Sequence, residues 1–262
     1  MKKFELTAEF VTNVFGKKLF RIKALIAFGN VEKGELGGFI EKEDNLSHDG
    51  NAWVSGNARV SDNARVSDNA RVSGNACVSG NARVSDNARV SGNAWVSGNA
   101  WVSGNARVFG NAWVSGNAWV FANAWVSDNA RVSGNAWVSG IARVSDNARV
   151  SGNARVSGNA RVSDNARVSG IARVSGNARV SGNADYAVVT GFGHCFRATT
   201  FFRCKDKMLR VQCGCFYGDL AQFREIVKKT HGDSKYAKEY LAIADLMELH
   251  FSDEEENQEA DK

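Results

Sequence analysis

An all-β solenoid is the fold class this sequence predicts, on three observations: a six-residue period, two positions in it that never change, and a turn at its close. Residues 51–182, half of the 262-residue chain, are 22 uninterrupted hexapeptides with the consensus Asn-Ala-(Arg/Trp)-Val-Ser-(Gly/Asp). Alanine holds the second position and valine the fourth in all 22 copies. Alternation along Ala-x-Val sends Ala and Val to one face and the residue between them to the other. The Ser-Gly-Asn or Ser-Asp-Asn that follows is turn chemistry. A strand of about three residues and then a turn is too short for a hairpin meander or a sandwich, and fits stacked rungs that each pair with the next.

These hexads resemble those of the hexapeptide-repeat family, whose fold is a left-handed parallel β-helix with three hexads per triangular coil. The resemblance covers the whole array. It implies about seven coils spaced by about 4.8 Å, a prism roughly 35 Å long. Residues 18 apart then stack in columns, so that Val54, Val72 and Val90 share one interior column.

The flanks read as covers for the two open ends, which would otherwise pair with other chains. Residues 1–50 carry no net charge and hold a strand over 18–28 (KLFRIKALIAF) and a glycine-rich lead-in over 34–40 (GELGGFI), an N-terminal β cap. The segment FRIKALIAFGNVEKGELGGFIEKEDNLSHDGNAWV also resembles the opening of phage- and prophage-borne bacterial repeat proteins, some labelled acyltransferases. The array is expected to run over 51–188, followed by a small α+β domain over 189–251. Strands over 196–203 and 208–215 are expected there, joined near Lys205-Asp206-Lys207. Asp219 with Gln222 forms a capping pair opening a helix that stops at Gly232, and Ser234 caps a second helix to about His250. This domain resembles small C-terminal domains of phage proteins with a CGCF strand and two helices, a resemblance that brings no activity. Residues 252–262 are acidic and expected to be disordered.

Composition narrows the class. No run approaches the length of a membrane-spanning helix, and Glu5 and Glu9 interrupt any apolar core of signal-peptide type. The expectation is a cytoplasmic protein whose five cysteines are thiols, with no membrane partner and no cofactor.

The third hexad position carries the information: Arg in 14 copies, Trp in seven, and Cys once, at Cys77. In the three-hexad coil Trp101, Trp119 and Trp137 fall in one column, Trp95 and Trp113 on a second face, and Trp53 and Trp125 on the third. Phe109 and Phe121 replace serine in the same zone and should point outward. An exposed aromatic belt marks an interaction site, and Trp and Arg are favoured hot-spot residues. The candidate partner-binding residues are therefore Trp95, Trp101, Trp113, Trp119, Trp125, Trp137, Phe109 and Phe121, binding a host protein or closing a homo-oligomer. Two blander readings stand beside this. The Trp columns can stack on each other with Arg over their faces, simply stabilising the rungs. The Arg/Trp/Cys, Gly/Asp, Ser/Phe and Asn/Ile differences are also single-nucleotide changes, as drift in a recently expanded repeat would leave.

The array carries six Asp against its 14 Arg, a net +8. Arginine suits phosphate forks and aromatic stacking, and Arg interleaved with Trp is a single-strand nucleic-acid composition. Arg143, Arg161 and Arg179 form one candidate column, with Arg149, Arg167, Arg155 and Arg173 on the other faces. Asp128, Asp146 and Asp164 stack beside the first column and oppose phosphate there, unless each of the six Asp pairs with a nearby Arg.

In the hexapeptide family the best-known activity is CoA-dependent acyl transfer, with a histidine base near a coil edge and an extruded loop. Here no loop interrupts the hexads and no histidine lies among them. His48 is the only histidine near the prism; His194, His231 and His250 lie far along the chain. The resemblance thus implies the fold and not the activity, since a general base must reach its proton. Cys195, Cys204, Cys213 and Cys215 could in principle close a zinc site with His194, although their spacing is that of neither a ribbon nor a finger. The expected function is a non-enzymatic, phage- or prophage-encoded protein that binds a host protein through its Trp/Arg surface, in concrete form an inhibitor of a host anti-phage defence. Nucleic-acid binding ranks second and acyl transfer third.

Overall fold

The computed structural model describes residues 1–252, so all but the first residue of the expected acidic tail lies outside the described residues. The array forms a parallel β-solenoid with three flat sheets. Each hexad contributes a two-residue rung, and each rung pairs in parallel with the rung 18 residues on, as in Val54↔Val72 and Val72↔Val90. The interior column expected from the three-hexad coil is therefore present. Every second-position Ala and fourth-position Val of the array is sealed inside.

Backbone hydrogen bonds run along the prism axis. Over one six-residue period the N–H groups of Ser55, Asn57 and Arg59 donate to Val72, Gly74 and Ala76 of the next coil, each at 2.9 Å. Outside the wall, the asparagines that open each hexad form amide ladders, Nδ2 of one donating to Oδ1 of the next. One runs unbroken from Asn63 to Asn153, at 2.9 to 3.3 Å per step.

The sixth hexad position explains why glycine and aspartate alternate there. Its φ is positive from Gly56 to Gly176, 61–70° for the glycines and 53–61° for all six aspartates, and turns extended only at Gly182, where the array ends. Glycine enters this region freely and Asp is among the few side chains that tolerate it. The aspartates add a bond that glycine lacks: Asp62 accepts from the Gly80 N–H at 3.0 Å and Asp86 from the Gly104 N–H at 2.9 Å, one coil further on.

At the N-terminus β1 (Phe4–Thr12) and β2 (Lys18–Ala24) form an antiparallel hairpin, and β2 pairs with β3 (Leu36–Ile40). Strand β3 then joins the rung Arg59–Val60 in parallel. The isolated bridge Leu46↔Val66 supplies a second side, and Trp53–Val54 the third. The first coil is thus built by the cap, and the solenoid has about eight turns where the hexads alone imply seven. Gly37 and Gly38 make this junction possible: a Cβ on them would lie 2.5 Å from Ile22 Cγ1 and 2.6 Å from the Ala58 carbonyl. Lys3, 1% exposed, plugs the open end by donating to the carbonyls of Gly50 (3.3 Å) and Ala52 (3.0 Å). The strand expected over 18–28 ends at Ala24, because the chain folds back there to let Phe28 meet Trp53 edge-on at 5.4 Å.

The C-terminal region is a four-stranded antiparallel sheet in chain order, β4 (Tyr186–Val189), β5 (Thr199–Arg203), β6 (Leu209–Cys213) and β7 (Phe216–Asp219), followed by α1 (Leu220–His231) and α2 (Lys235–Phe251). The expected boundary at 188/189 falls inside β4. The expected strands are shortened by turns at Phe196 (φ 49°) and Gly214 (φ 60°), the second of which also separates β7 as a strand of its own. Asp219 and Gln222 close the capping box, Gly232 stops α1, and Ser234 caps α2. One face of this sheet, with Phe202 and Cys204, joins the solenoid core; the other, with Phe201 and Val211, packs under the helices. The last coil's free N–H groups are met by side chains: Arg167 N–H donates to Asn183 Oδ1 and Arg173 N–H to Thr200 Oγ1, each at 3.0 Å. Both solenoid ends are covered.

Candidate functional site: a tryptophan and arginine ladder

The solenoid turns the third-position alternation into three outward columns. One face reads Arg65, Arg83, Trp101, Trp119, Trp137, Arg155, Arg173. A second reads Arg59, Cys77, Trp95, Trp113, Arg131, Arg149, Arg167. The third carries Trp53 at its start, Trp125 at its middle, and Arg143, Arg161 and Arg179 at its far end.

Within these columns the rings interlock. Trp95 stacks on Trp113 at 5.3 Å and 9°, and Trp119 on Trp137 at 5.2 Å and 6°, while Trp101 meets Trp119 edge-on at 4.9 Å. Phe109 and Phe121 stand edge-on against Trp125 and Trp137 at 5.9 and 6.0 Å. Guanidinium groups close the ends: Arg83 over Trp101, Arg155 over Trp137, Arg131 over Trp113, and Arg107 and Arg143 on either side of Trp125, at 4.7 to 5.6 Å. Self-stacking is therefore present, and it uses ring faces. It leaves edges, and Trp95, Trp113 and Trp119 remain 45, 43 and 37% exposed. Trp101, Trp125, Trp137 and both phenylalanines are half-buried, and Trp53 is buried against the cap.

Placement refines the candidate list. The eight aromatics girdle the middle coils but lie on three faces, so one flat partner cannot touch them all. Trp101, Trp119 and Trp137, with Phe121 at their side, are the largest set on one face. The spacing also limits what can bind: a base inserted between two rings needs about 7 Å between them, and the parallel pairs stand at 5.2 and 5.3 Å.

The arginines do not pair with the aspartates as one sequence reading expected. Among the described residues no ion pair joins a repeat Arg to a repeat Asp, because each Asp carboxylate sits at a turn. Asp68, Asp128, Asp146 and Asp164 accept from the preceding serine hydroxyl at 2.7 to 2.9 Å, and Asp62 takes Lys17 of the cap. Arg179 bears the consequence of stacked like charges. Burial, then repulsion from Arg161 and Arg143, lowers its pKa, and its Nη1 is buried without a hydrogen-bond partner.

The remaining candidates separate. Cys204 lies on the solenoid side of the sheet near Tyr217 (3.9 Å), whereas Cys213 accepts from Thr199 Oγ1 at 3.2 Å on the helix side. Successive strand residues point to opposite faces, and among the described residues no group of three or more His, Cys, Asp or Glu is placed to hold a metal ion. The expected Cys195, Cys204, Cys213 and Cys215 quartet is not assembled. Cys195 and Cys213 instead lie near Tyr240, whose phenol is pushed up to about 12 by burial and then by Cys213. His48 stacks on Phe4 at 4.3 Å, and its Nδ1 accepts the Lys3 N–H at 3.1 Å, so this nitrogen is committed to closing the cap. It borders a groove of about 600 Å³ that also touches Arg65, Arg83 and Trp101. Among the described residues no helix is long and apolar enough to cross a membrane.

Fold and surface together define a β-solenoid repeat protein with a basic, aromatic exterior. Nine stretches of the array, 52–68, 64–80, 82–98, 88–104, 100–116, 124–140, 142–158, 154–170 and 172–184, match the family described as YdcK Beta solenoid repeat. The array is similar to the YdcK solenoid repeat, a similarity that carries architecture and no catalytic information. No curated protein matches the chain.

Proposed function

We propose that this chain is a non-enzymatic binding protein that presents the Trp101, Trp119 and Trp137 face to a protein partner. One observation carries the reading: three tryptophans stand in register on a flat, fully hydrogen-bonded wall, with Trp119 still 37% exposed after all internal stacking. A rigid wall loses little entropy on binding. In its finer form the partner is a bacterial host protein and the chain is phage-borne, blocking a host defence. That form rests on the resemblance of the N-terminal segment to phage-borne repeat proteins. Replacing Trp101, Trp119 and Trp137 with serine is expected to leave the solenoid folded by circular dichroism and to abolish partner capture from host lysate. Unchanged capture contradicts the reading, and light scattering on the same variant separates a partner from a second copy.

A second reading has its own observation, the column Arg143, Arg161 and Arg179, none of them ion-paired among the described residues, where burial and then the charges of Arg161 and Arg143 lower the Arg179 pKa. A phosphate backbone relieves that repulsion. Binding to single strands then falls with salt at a log–log slope of about −0.7 per neutralised phosphate. Filter binding with the three arginines changed to glutamine should flatten the slope by about two; no binding at about 50 mM salt removes this reading.

A further inference from the structure

Cys77 is the one small residue among 22 outward third positions. Its register partners are Arg59 below and Trp95 above. Neighbouring rungs stand about 4.8 Å apart, so Arg59 and Trp95 are held about 9.6 Å apart over a floor one side chain high. The adjacent face shows what a filled column looks like: Arg83, then three rings, then Arg155, with a guanidinium over each end. The Cys77 face reads Arg59, a gap, two rings, then Arg131. Trp95 stacks on Trp113 with one face; among the described residues neither a ring nor a guanidinium stacks on the other, and Trp95 is the most exposed of the tryptophans.

We propose that this notch between Arg59 and Trp95 is a binding site for an aromatic side chain of a partner protein. Two contacts select a ring. Seated at the Cys77 level, a ring stacks on Trp95 as Trp113 does, and lies over the Arg59 guanidinium as Trp101 does with Arg83. An incoming guanidinium makes only the contact with Trp95 and meets Arg59 as a like charge, in an array that is already +8. Arg59 is close enough to offset part of the upward push that burial gives the Cys77 thiol, which places its charge at the notch. The floor is backbone-rigid, so the slot exists before the ring arrives. This inference rests on the partner-binding reading, and locates one anchor on a face that the Trp101, Trp119 and Trp137 substitutions do not touch.

Cys77 is a built-in reporter. The probe is N-acetyltryptophanamide, and the readout is the iodoacetamide alkylation rate of Cys77 followed in tryptic peptide 72–83. Saturable protection is expected, about threefold at twice the probe's Kd, with the exposed Cys195 and Cys215 unaffected. Absence of saturable protection overturns the proposal. Adenosine monophosphate at the same concentration is expected to protect less; protection equal to or greater than that by the indole overturns the protein side-chain assignment in favour of a nucleobase. Cys77→Trp fills the notch with a residue that seven other rungs accept, and is expected to weaken partner capture at least tenfold. If Cys77→Trp leaves capture intact while the Trp101, Trp119 and Trp137 variant loses it, this site is wrong and the partner-binding reading stands.

Discussion

Ile141 and Ile171 interrupt the asparagine ladders, and the interruptions are unequal. Ile141 stands between Asn123 and Asn159, each of which continues its ladder away from the break, through Asn105 and Asn177 respectively. Ile171 follows Asn153, and the position 18 residues beyond it is Val189, so no ladder continues there. Ile141→Asn therefore restores two amide bonds and Ile171→Asn restores one. Intact steps elsewhere measure 2.9 to 3.5 Å in exposed positions, which places each near the low end of net hydrogen-bond values, about 0.5 kcal/mol. The expected gains are about 1 kcal/mol for Ile141→Asn and about 0.5 kcal/mol for Ile171→Asn, or roughly 3 °C and 1.5 °C in Tm for a chain of this size. Ile141→Ser removes the same exposed apolar side chain (Ile141 is 55% exposed) without supplying a ladder amide. Thermal unfolding of the three variants should rank Ile141→Asn above Ile171→Asn, with Ile141→Ser at or below the parent. Equal gains at the two sites, or a serine gain matching the asparagine gain, refutes the ladder reasoning.

Other outcomes follow from single features. Ala122 adopts φ 60° in the column of Gly and Asp turns; Ala122→Gly is expected to stabilise by about 1 kcal/mol, read by urea unfolding, because a Cβ is penalised there. Burial lowers the Lys3 pKa from 10.5 to about 8. The unfolded chain then holds more protons between those values, so the Lys3 contribution to stability rises with pH from about 8 to 10.5, by up to roughly 3 kcal/mol. Below about pH 8 both states are protonated and the burial cost is fully present. Comparing the parent with Lys3→Met by chemical denaturation across this window isolates the slope; a parallel pH profile contradicts it.

The fold was legible wherever a position repeats. Ala and Val at fixed places declare the inner face, and the 18-residue register follows from the three-hexad coil. The cap's own rungs were not legible, because Phe39–Ile40 and Leu46 reach the same wall without the hexad pattern. Strand β1 was hidden for a related reason: its alternation is half-exposed and its partner is a hairpin neighbour rather than the array. The turn role of aspartate had a signal that charge reading obscured, namely that Asp replaces only glycine. The Trp columns could be derived from counting alone, but ring geometry could not, and geometry decides that faces are consumed internally except at Trp95, where one face stays open toward Cys77. The notch at Cys77 was visible as an exception in the list of third positions; only its Arg59 and Trp95 neighbours make it a site. The cysteine quartet failed because sequence proximity says nothing about which side of a sheet a thiol occupies.

The most direct test of the central claim, that the middle tryptophan face carries protein recognition, is site-specific photo-crosslinking in bacterial host cells. A benzophenone side chain replaces Trp119 in one variant and the exposed Arg167 in another. Position 119 lies in the Trp ladder, and position 167 lies in an arginine column near the C-terminal end. The prediction is a discrete protein adduct from position 119 and none from position 167. The same adducts from both positions, or adducts only to nucleic acid, contradict it.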